Sequence, residues 1–156
     1  MYISKEEASG VESGEEVELG LEIAIRSGFY SQDYRFPSTE VSVKLGHEDE
    51  FMCGSRTFKA LHVPGHSPGS MCYLIDLPEG KALFSGDTVF SGGRILLLNI
   101  DGSNLADYRQ NCGKLSGIGI DILLPGHGIT VLSNGQTHID EVLKNLKPLQ
   151  PPPNLL

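Results

Sequence analysis

The chain has 156 residues, the size of one domain, and its 39% hydrophobic and 21% charged residues are typical of a folded globular protein rather than a disordered one. A net charge of -8 excludes the basic surface that nucleic acids and anionic membranes select, and no apolar run is long enough to span a bilayer. Since the sequence opens without a signal-peptide pattern and its three cysteines form no CxxC pair, we expect a cytoplasmic protein with free thiols.

Residues 15–27 form the first segment with regular hydrophobic spacing, and they fit two patterns. Val17, Leu19 and Leu21 alternate as in a strand, whereas Val17, Leu21 and Ala24 form a helical stripe. Glutamates in front of the segment and an Arg-Ser-Gly run behind it are typical of helix ends. We therefore favour a helix, with a strand as the alternative, followed by the polar and aromatic loop "FYSQDYRFPST".

From residue 41 onward the composition changes to short β-prone runs. These are "VSVKL", "RTFKALHV", "MCYLIDL" and "KALFSG", with "LPEG" predicting a hairpin turn between the last two. The glycine-rich loop "DTVFSGGRI" follows, and then a helix over "SNLADYRQNCGKLSGIG" with Ser103 or Asn104 as its N-cap. The apolar stripe of this helix consists of Leu105, Tyr108, Cys112 and Leu115.

The last third of the chain completes an alternation of strands and helices. "IDILLPGHG" predicts a buried strand that runs into a loop, "GQTHIDEVLKNLKPL" predicts an amphipathic helix, and residues 148–156 predict an extended proline-rich tail. No repeat or linker divides the sequence, so residues 1–156 are predicted to form a single domain. Strands in the middle and helices around them predict an α/β fold in which helices cover a sheet.

Three polar residues share one setting, since each follows an apolar β-run and comes directly after a glycine. His66 follows "ALHVPG", Asp87 follows "ALFSG" and His127 follows "ILLPG", so we expect loops at the ends of adjacent strands to bring them together. Two imidazoles and a carboxylate are ligands that zinc accepts at about 2.0–2.2 Å, and the glycines leave space around an ion. The pattern predicts a metal site; the alternative is that all three are ordinary surface polar residues.

The other histidines have less direct predictions. His62 opens the stiff loop "HVPGHSPGS", four residues before His66, and we predict that it braces this loop, with metal contact as the alternative. His47 lies in the acidic turn "LGHEDE" and His138 lies on the last helix, so both are expected at the surface.

The segments "HVPGHSPGS", "CYLID", "KALFSGDTVF" and "ILLPGHG", in this order, resemble the metallo-β-lactamase superfamily and in particular its glyoxalase II-like hydrolase branch. The resemblance implies part of a layered αββα sandwich and a zinc-dependent hydrolase that cleaves thioesters or other esters with a metal-activated water. It implies that His66 binds the first of two zinc ions, that Asp87 bridges both ions and that His127 binds the second. Arg94 matches the loop near the family's substrate mouth, where it either meets an anionic substrate or braces the loop.

The sequence departs from this family in one respect. The His-x-His-x-Asp-His motif that supplies the other ligands is absent, since no histidine precedes His47. "MYISKEEA" resembles the short strand and helix that follow this motif, so we expect a truncated domain whose N-terminal strands are missing. Each ion then keeps two protein ligands, fewer than the three or four that zinc takes in proteins. We therefore expect weak or absent metal binding and weak or absent activity in this chain alone.

The expected partners follow from the same reasoning. Missing strands imply exposed apolar surface, so we expect a homo-oligomer that covers the open edge, a small-molecule substrate, and neither nucleic acid nor membrane as partner. The alternative function is a degenerate, non-catalytic domain that binds a protein partner, to which the acidic start and the proline tail are suited. An iron-dependent redox role with a flavin domain is disfavoured, because nothing after His127 supplies a flavin module.

Overall fold

The computed structural model of the protein describes residues 1–17, 19–147 and 152–156. A small parallel pair consists of β1 (Tyr2–Ser4) and β2 (Val43–Leu45). The main sheet consists of β3 (Glu50–Cys53), β4 (Arg56–His62), β5 (Met71–Leu77), β6 (Gly80–Gly86) and β7 (Ile122–Pro125), and its spatial order is the chain order. Neighbours from β3 to β6 are antiparallel, whereas β7 joins β6 in parallel.

The helices are α1 (Ala8–Ser13), α2 (Leu21–Arg26), α3 (Leu105–Asn111), a 3₁₀ turn over Cys112–Leu115, and α4 (Gly135–Asn145). Asn104 caps α3, because its Oδ1 accepts a hydrogen bond from the Asp107 amide at 2.8 Å. Among the described residues of the helix favoured over residues 15–27, the α-helical ones belong to α2, which begins after Gly20, whose φ of 68° is left-handed. The strand and helix expected from "MYISKEEA" are present as β1 and α1.

The hydrophobic core lies between one face of the main sheet and the helices α3 and α4. Sheet residues Leu61, Cys72, Leu83 and Leu123 pack there against Tyr108 and Leu115 from the helical layer. Each fully buried aliphatic side chain stabilises the fold by about 1.5–3 kcal/mol. A second, smaller cluster joins α1 to the segment before β2 through Ala8, Val11 and Val41. The predicted α/β class, with helices covering a sheet, is confirmed.

The opposite face of the main sheet carries a row of aromatic side chains. Phe51 lies with its ring centroid 5.5 Å from Phe58 and 5.6 Å from Tyr73, and Phe58 lies 6.0 Å from Phe84. Tyr2 of the β1–β2 pair packs against one end of this row, with its ring centroid 5.2 Å from that of Phe51, whereas Phe84 at the other end is 41% exposed. The Phe84 end of the row is exposed apolar surface of the kind that the sequence leads us to expect, and self-association through it stays a prediction.

Strand β3 was not predicted, because the sequence before it reads as an acidic turn. Its pairing with β4 places Phe51 opposite Phe58. Lys59 of β4 forms an ion pair at 2.7 Å with Glu48, which lies just before β3, so an aromatic pair and a charge pair stabilise the hairpin. Gly54, with a φ of 60°, forms the turn between the two strands.

The predicted tail of residues 148–156 is described only in part, since residues 148–151 lie outside the described residues. Residues 152–156 run along the segment after Arg94, where Asn154 forms an isolated parallel bridge with Ile95. In the described part of the chain, no helix has the length and apolar character needed to cross a membrane.

The three cysteine thiols differ in burial, and this predicts their reactivity. Burial raises the pKa of Cys72 to about 12 and that of Cys112 to about 12, whereas Cys53 is exposed. A thiol alkylates as its thiolate, and a pKa far above the ambient pH keeps the two buried thiols protonated. We expect iodoacetamide at pH 8 to label Cys53 alone in the folded protein and all three cysteines in denaturant, as measured by mass spectrometry. Fast labelling of Cys72 or Cys112 under native conditions would contradict this burial.

Candidate metal centre

The loops that carry the three predicted ligands meet at one edge of the main sheet. Strands β4, β6 and β7 all run in the same direction, because two antiparallel steps separate β4 from β6 and β7 is parallel to β6. His66, Asp87 and His127 follow these three strands, so their side chains come together at the carboxyl ends. The expectation that all three strands are adjacent was wrong, since β5 lies between β4 and β6.

The Asp87 carboxylate lies between the two imidazoles. His66 Nε2 is 3.6 Å from Asp87 Oδ2, and His127 Nε2 is 3.6 Å from Asp87 Oδ1. Both distances exceed those of hydrogen bonds. Two ligands on one tetrahedral zinc ion at 2.0–2.1 Å lie about 3.3 Å apart, so the gaps are close to those that an ion bridges.

The geometry favours two half-sites over one three-ligand site, because the histidines face different oxygens of Asp87. The first half-site is His66 with Asp87 Oδ2, and the second is His127 with Asp87 Oδ1. Within residues 1–17, 19–147 and 152–156, no three His, Cys, Asp or Glu side chains surround a single point as an ion requires. The first half-site is the more enclosed, since the His66 side chain is 19% exposed and that of His127 is 65% exposed.

The ring of His66 is held in one orientation by the backbone. Its Nδ1 lies 2.8 Å from the carbonyl oxygen of Leu96, and since a carbonyl only accepts, Nδ1 carries the proton. In the neutral imidazole Nε2 then carries the lone pair, which is the form that a metal ligand needs. The Tyr108 hydroxyl lies 3.1 Å from the same Leu96 oxygen and 3.2 Å from the Asp87 carbonyl oxygen, so it connects both backbones of the first half-site.

The loop of residues 62–70 is cross-linked by its own hydrogen bonds. His62 Nε2 lies 2.8 Å from the Pro68 carbonyl oxygen, and the Ser67 amide donates to Ser70 Oγ at 2.9 Å. The Gly69 amide donates to Glu7 Oε1 at 3.0 Å, which attaches the loop to the segment before α1. These contacts place His62 at the base of the loop, and its role as a brace stays a prediction.

Two of the glycines that precede the ligands have a steric role. A Cβ on Gly65, whose φ is +150°, would lie 2.5 Å from Tyr108 Cγ, and a Cβ on Gly126 would lie 2.6 Å from Asp87 Oδ1. Such contacts are shorter than side chains tolerate. Gly65 therefore allows the His66 loop to rest on the Tyr108 ring, and Gly126 keeps the second half-site open.

Arg94 lies away from the half-sites. Its carbonyl accepts from the Phe90 amide at 2.9 Å, which closes the glycine-rich loop, and its side chain is exposed. It lines a separate groove with Gly128, Ile129 and Leu155, next to the loop of His127. A contact between Arg94 and a substrate stays a prediction.

Two depressions adjoin the half-sites. An open hollow of about 430 Å³ contains His66, Asp87 and His127 together with Ser4 and Glu7. A groove of about 440 Å³ on the other side of His66 has an apolar wall of Val17, Leu19, Pro68 and Ile100. Sequence reasoning missed Glu7, Tyr108 and the Leu96 carbonyl, because neither a lone glutamate near the start nor a core tyrosine signals a site.

Comparison with known proteins identifies a matching family and two similar proteins that are named thioesterases. The family model of the metallo-beta-lactamase superfamily matches residues 3–127. The chain is 37% identical over 106 residues to "Acyl-coenzyme A thioesterase MBLAC2" of Gallus gallus, covering 65% of this chain and 37% of that protein. It is 35% identical over 91 residues to "Atrochrysone carboxyl ACP thioesterase" of Aspergillus fumigatus, covering 58% of this chain and 26% of that protein. The chain thus spans between 26% and 37% of the length of these curated relatives.

Solved structures show the same fold at lower sequence identity. A metallo-beta-lactamase family protein from Thermus thermophilus superposes with a TM-score of 0.66 at 14% identity, covering 92% of this chain and 51% of that one. A subclass B3 metallo-beta-lactamase of Bradyrhizobium japonicum superposes with a TM-score of 0.62 at 21% identity, covering 92% and 58%. The α/β architecture described above is therefore the architecture of part of these larger chains.

Proposed function

The chain belongs to the metallo-beta-lactamase superfamily, and we propose that it acts as part of a metal-dependent hydrolase that cleaves acyl thioesters. The observation that carries the proposal is the position of Asp87, whose two carboxylate oxygens each lie 3.6 Å from a histidine Nε2. The choice of thioesters is supported by relatives that are named thioesterases at 37% and 35% identity.

Zinc fits the donor set of both half-sites. In the proposal, His66 and Asp87 hold one ion, while His127 and Asp87 hold the other. Such ions supply Lewis acidity that activates water for attack on a carbonyl carbon. Two protein ligands per ion fall short of the three that catalytic zinc sites use, so each ion needs further ligands besides these residues.

The protein's own contribution is to position the ligands before an ion arrives. The hydrogen bond from His66 Nδ1 to Leu96 keeps the Nε2 lone pair directed at the half-site. The Asp87 carboxylate places one negative charge between the two positions, where it offsets the repulsion between two cations. Because the loop of residues 62–70 is already cross-linked, little conformational entropy is lost when a ligand binds.

The groove beside His66 supports the choice of an acyl substrate. Val17, Leu19 and Ile100 form an apolar wall next to the first half-site, and burying a methylene against such a wall is worth about 0.8 kcal/mol. In the proposal, the acyl chain of the thioester lies along this wall. Its carbonyl then reaches the hollow that contains Asp87, since His66 lines both depressions.

A second candidate function is a non-catalytic domain that binds a protein partner. The observation that favours it is the aromatic row on the sheet, where Phe84 packs against Phe58 and is 41% exposed. Apolar patches of this kind are typical of interaction surfaces. Metal binding distinguishes the two candidates, because a binding domain has no need of an intact zinc site.

Isothermal titration with zinc and an assay with acyl-coenzyme A thioesters test the proposal. We expect the 156-residue polypeptide to bind zinc weakly and to hydrolyse thioesters slowly, because each half-site has two protein ligands. The matched comparison is a longer polypeptide that includes the in-frame upstream codons, if these encode the His-x-His-x-Asp-His motif. That polypeptide is expected to bind two zinc ions and to hydrolyse thioesters rapidly.

Two results would contradict these expectations. A two-ion isotherm of nanomolar affinity with the 156-residue chain would show that the count of ligands is wrong. A zinc-loaded longer polypeptide that leaves thioesters, lactones, phosphodiesters and β-lactams intact would overturn the hydrolase proposal. The absence of the motif upstream, together with zinc-free protein after purification, would favour the binding domain instead.

A further inference from the structure

The last residues of the chain form a clamp on the segment that follows Arg94. The Ile95 amide donates to the Pro153 carbonyl at 3.1 Å, and the Leu155 amide donates to the Ile95 carbonyl at 2.9 Å. The Asn154 side chain completes the contact, since its Oδ1 accepts from the Leu97 amide at 2.9 Å and its Nδ2 donates to the Leu97 carbonyl at 3.0 Å. Both backbone groups of Leu97 are thus bonded to one side chain.

Leu96, the residue between the two clamped positions, contacts the first half-site through its carbonyl oxygen. Its neighbours Ile95 and Leu97 bond to the chain end, and successive residues of an extended backbone direct their carbonyls to opposite sides. The Leu96 carbonyl consequently faces the other way, where it accepts from His66 Nδ1 at 2.8 Å and from the Tyr108 hydroxyl at 3.1 Å. Leu96 is 6% exposed, so this oxygen has little access to water as an alternative partner.

We propose that Asn154 is a positioning residue for His66. By fixing both backbone groups of Leu97, it sets the direction of the Leu96 carbonyl, and that carbonyl sets the ring orientation and the tautomer of His66. Residues that orient a metal ligand from outside typically change metal affinity by about 10–100-fold when they are replaced. The link to catalysis rests on the proposed function, whereas the link between Asn154 and the His66 ring does not.

Nitrogen NMR of the histidine rings tests the proposal in the metal-free 156-residue chain at pH 8, where an ordinary imidazole is neutral. Asn154→Ala removes both side-chain hydrogen bonds to Leu97. Asn154→Asp keeps only the oxygen that accepts from the Leu97 amide. Leu156→Ala is the matched control, because this neighbouring side chain is 87% exposed. The His127 ring serves as an internal reference, since its side chain is 65% exposed and lies in a different half-site.

In the parent protein we expect a protonated Nδ1 on His66, and in Asn154→Ala we expect its two nitrogen shifts to move towards those of a mixture of tautomers. Asn154→Asp is expected to fall between the two, and zinc affinity, measured by competition with a chelating dye, is expected to fall by about 10-fold in Asn154→Ala. His127 shifts stay unchanged throughout, as do all shifts in Leu156→Ala.

The proposal would be overturned if the nitrogen chemical shifts of His66 were the same in Asn154→Ala and Asn154→Asp as in Leu156→Ala. If Asn154→Ala loses its dispersed amide spectrum, Asn154→Asp alone decides the question, because it keeps one of the two bonds. A change in the His66 tautomer, together with no thioester hydrolysis by the zinc-loaded longer polypeptide, would refute the proposed function and still support the role of Asn154.

Discussion

Asp87→Asn is expected to weaken zinc binding strongly at both half-sites at once. The carboxylate is shared by the two positions, with one oxygen facing His66 and the other facing His127. An amide carries no charge to offset two cations, and its NH₂ group presents a donor where one ion needs a ligand. We expect zinc affinity to fall by at least about 100-fold, which is the upper range for residues that merely orient a ligand. Isothermal titration and thioester hydrolysis by the zinc-loaded protein measure the effect.

A matched variant separates loss of the site from loss of charge. Asp76→Asn removes the same charge from an exposed position on β5 and is expected to leave zinc binding unchanged. The melting temperature of Asp87→Asn is expected to stay within a few degrees of that of the parent. The carboxylate lies 3.6 Å from each histidine Nε2, so the substitution breaks no hydrogen bond to either ring. Zinc binding by Asp87→Asn as strong as that of the parent protein would refute the shared role of Asp87.

The sequence predicts that the three ligands come together, because each follows a β-run and a glycine. That pattern places His66, Asp87 and His127 at strand ends, and the parallel direction of β4, β6 and β7 brings those ends to one edge. The order of the strands could not be predicted, since hydrophobic patterning indicates which face of a strand is buried but not which strands lie beside it. The position of β5 between β4 and β6 is therefore known from the structure alone.

The groups that orient the site gave no sequence signal. The Leu96 carbonyl is a backbone acceptor 30 residues from His66, and Asn154 reaches Leu97 across 57 residues. Tyr108 fits the apolar stripe of α3, so its pattern predicts burial and not the contact between its hydroxyl and the Asp87 carbonyl. Long-range hydrogen bonds of this kind depend on the completed fold, whereas the ligand types and the glycines before them are local features.

Gly65→Ala is expected to be strongly destabilising. The new methyl group would lie 2.5 Å from Tyr108 Cγ, at a φ of +150° that residues with a Cβ rarely adopt. The Tyr108 ring has no room to retreat, because it is fully buried and its hydroxyl is held near two carbonyl oxygens. Overpacking costs about 1–3 kcal/mol and backbone strain costs about 1–3 kcal/mol, so we expect a loss of about 2–6 kcal/mol in the free energy of unfolding. Urea denaturation followed by circular dichroism measures this loss.

Gly117→Ala provides the control for the backbone contribution. Gly117 has a φ of +67°, and a Cβ built there meets no atom within 4 Å, so this variant carries strain without a clash. The difference between the two variants contains the contact with Tyr108 and the greater strain at a φ of +150°, and we expect Gly65→Ala to be less stable by at least about 1 kcal/mol. Equal stability of the two variants would show that the His66 loop moves off the tyrosine ring freely. In that case the Leu96 carbonyl, which bonds both Tyr108 and His66, would also lose its fixed place in the first half-site.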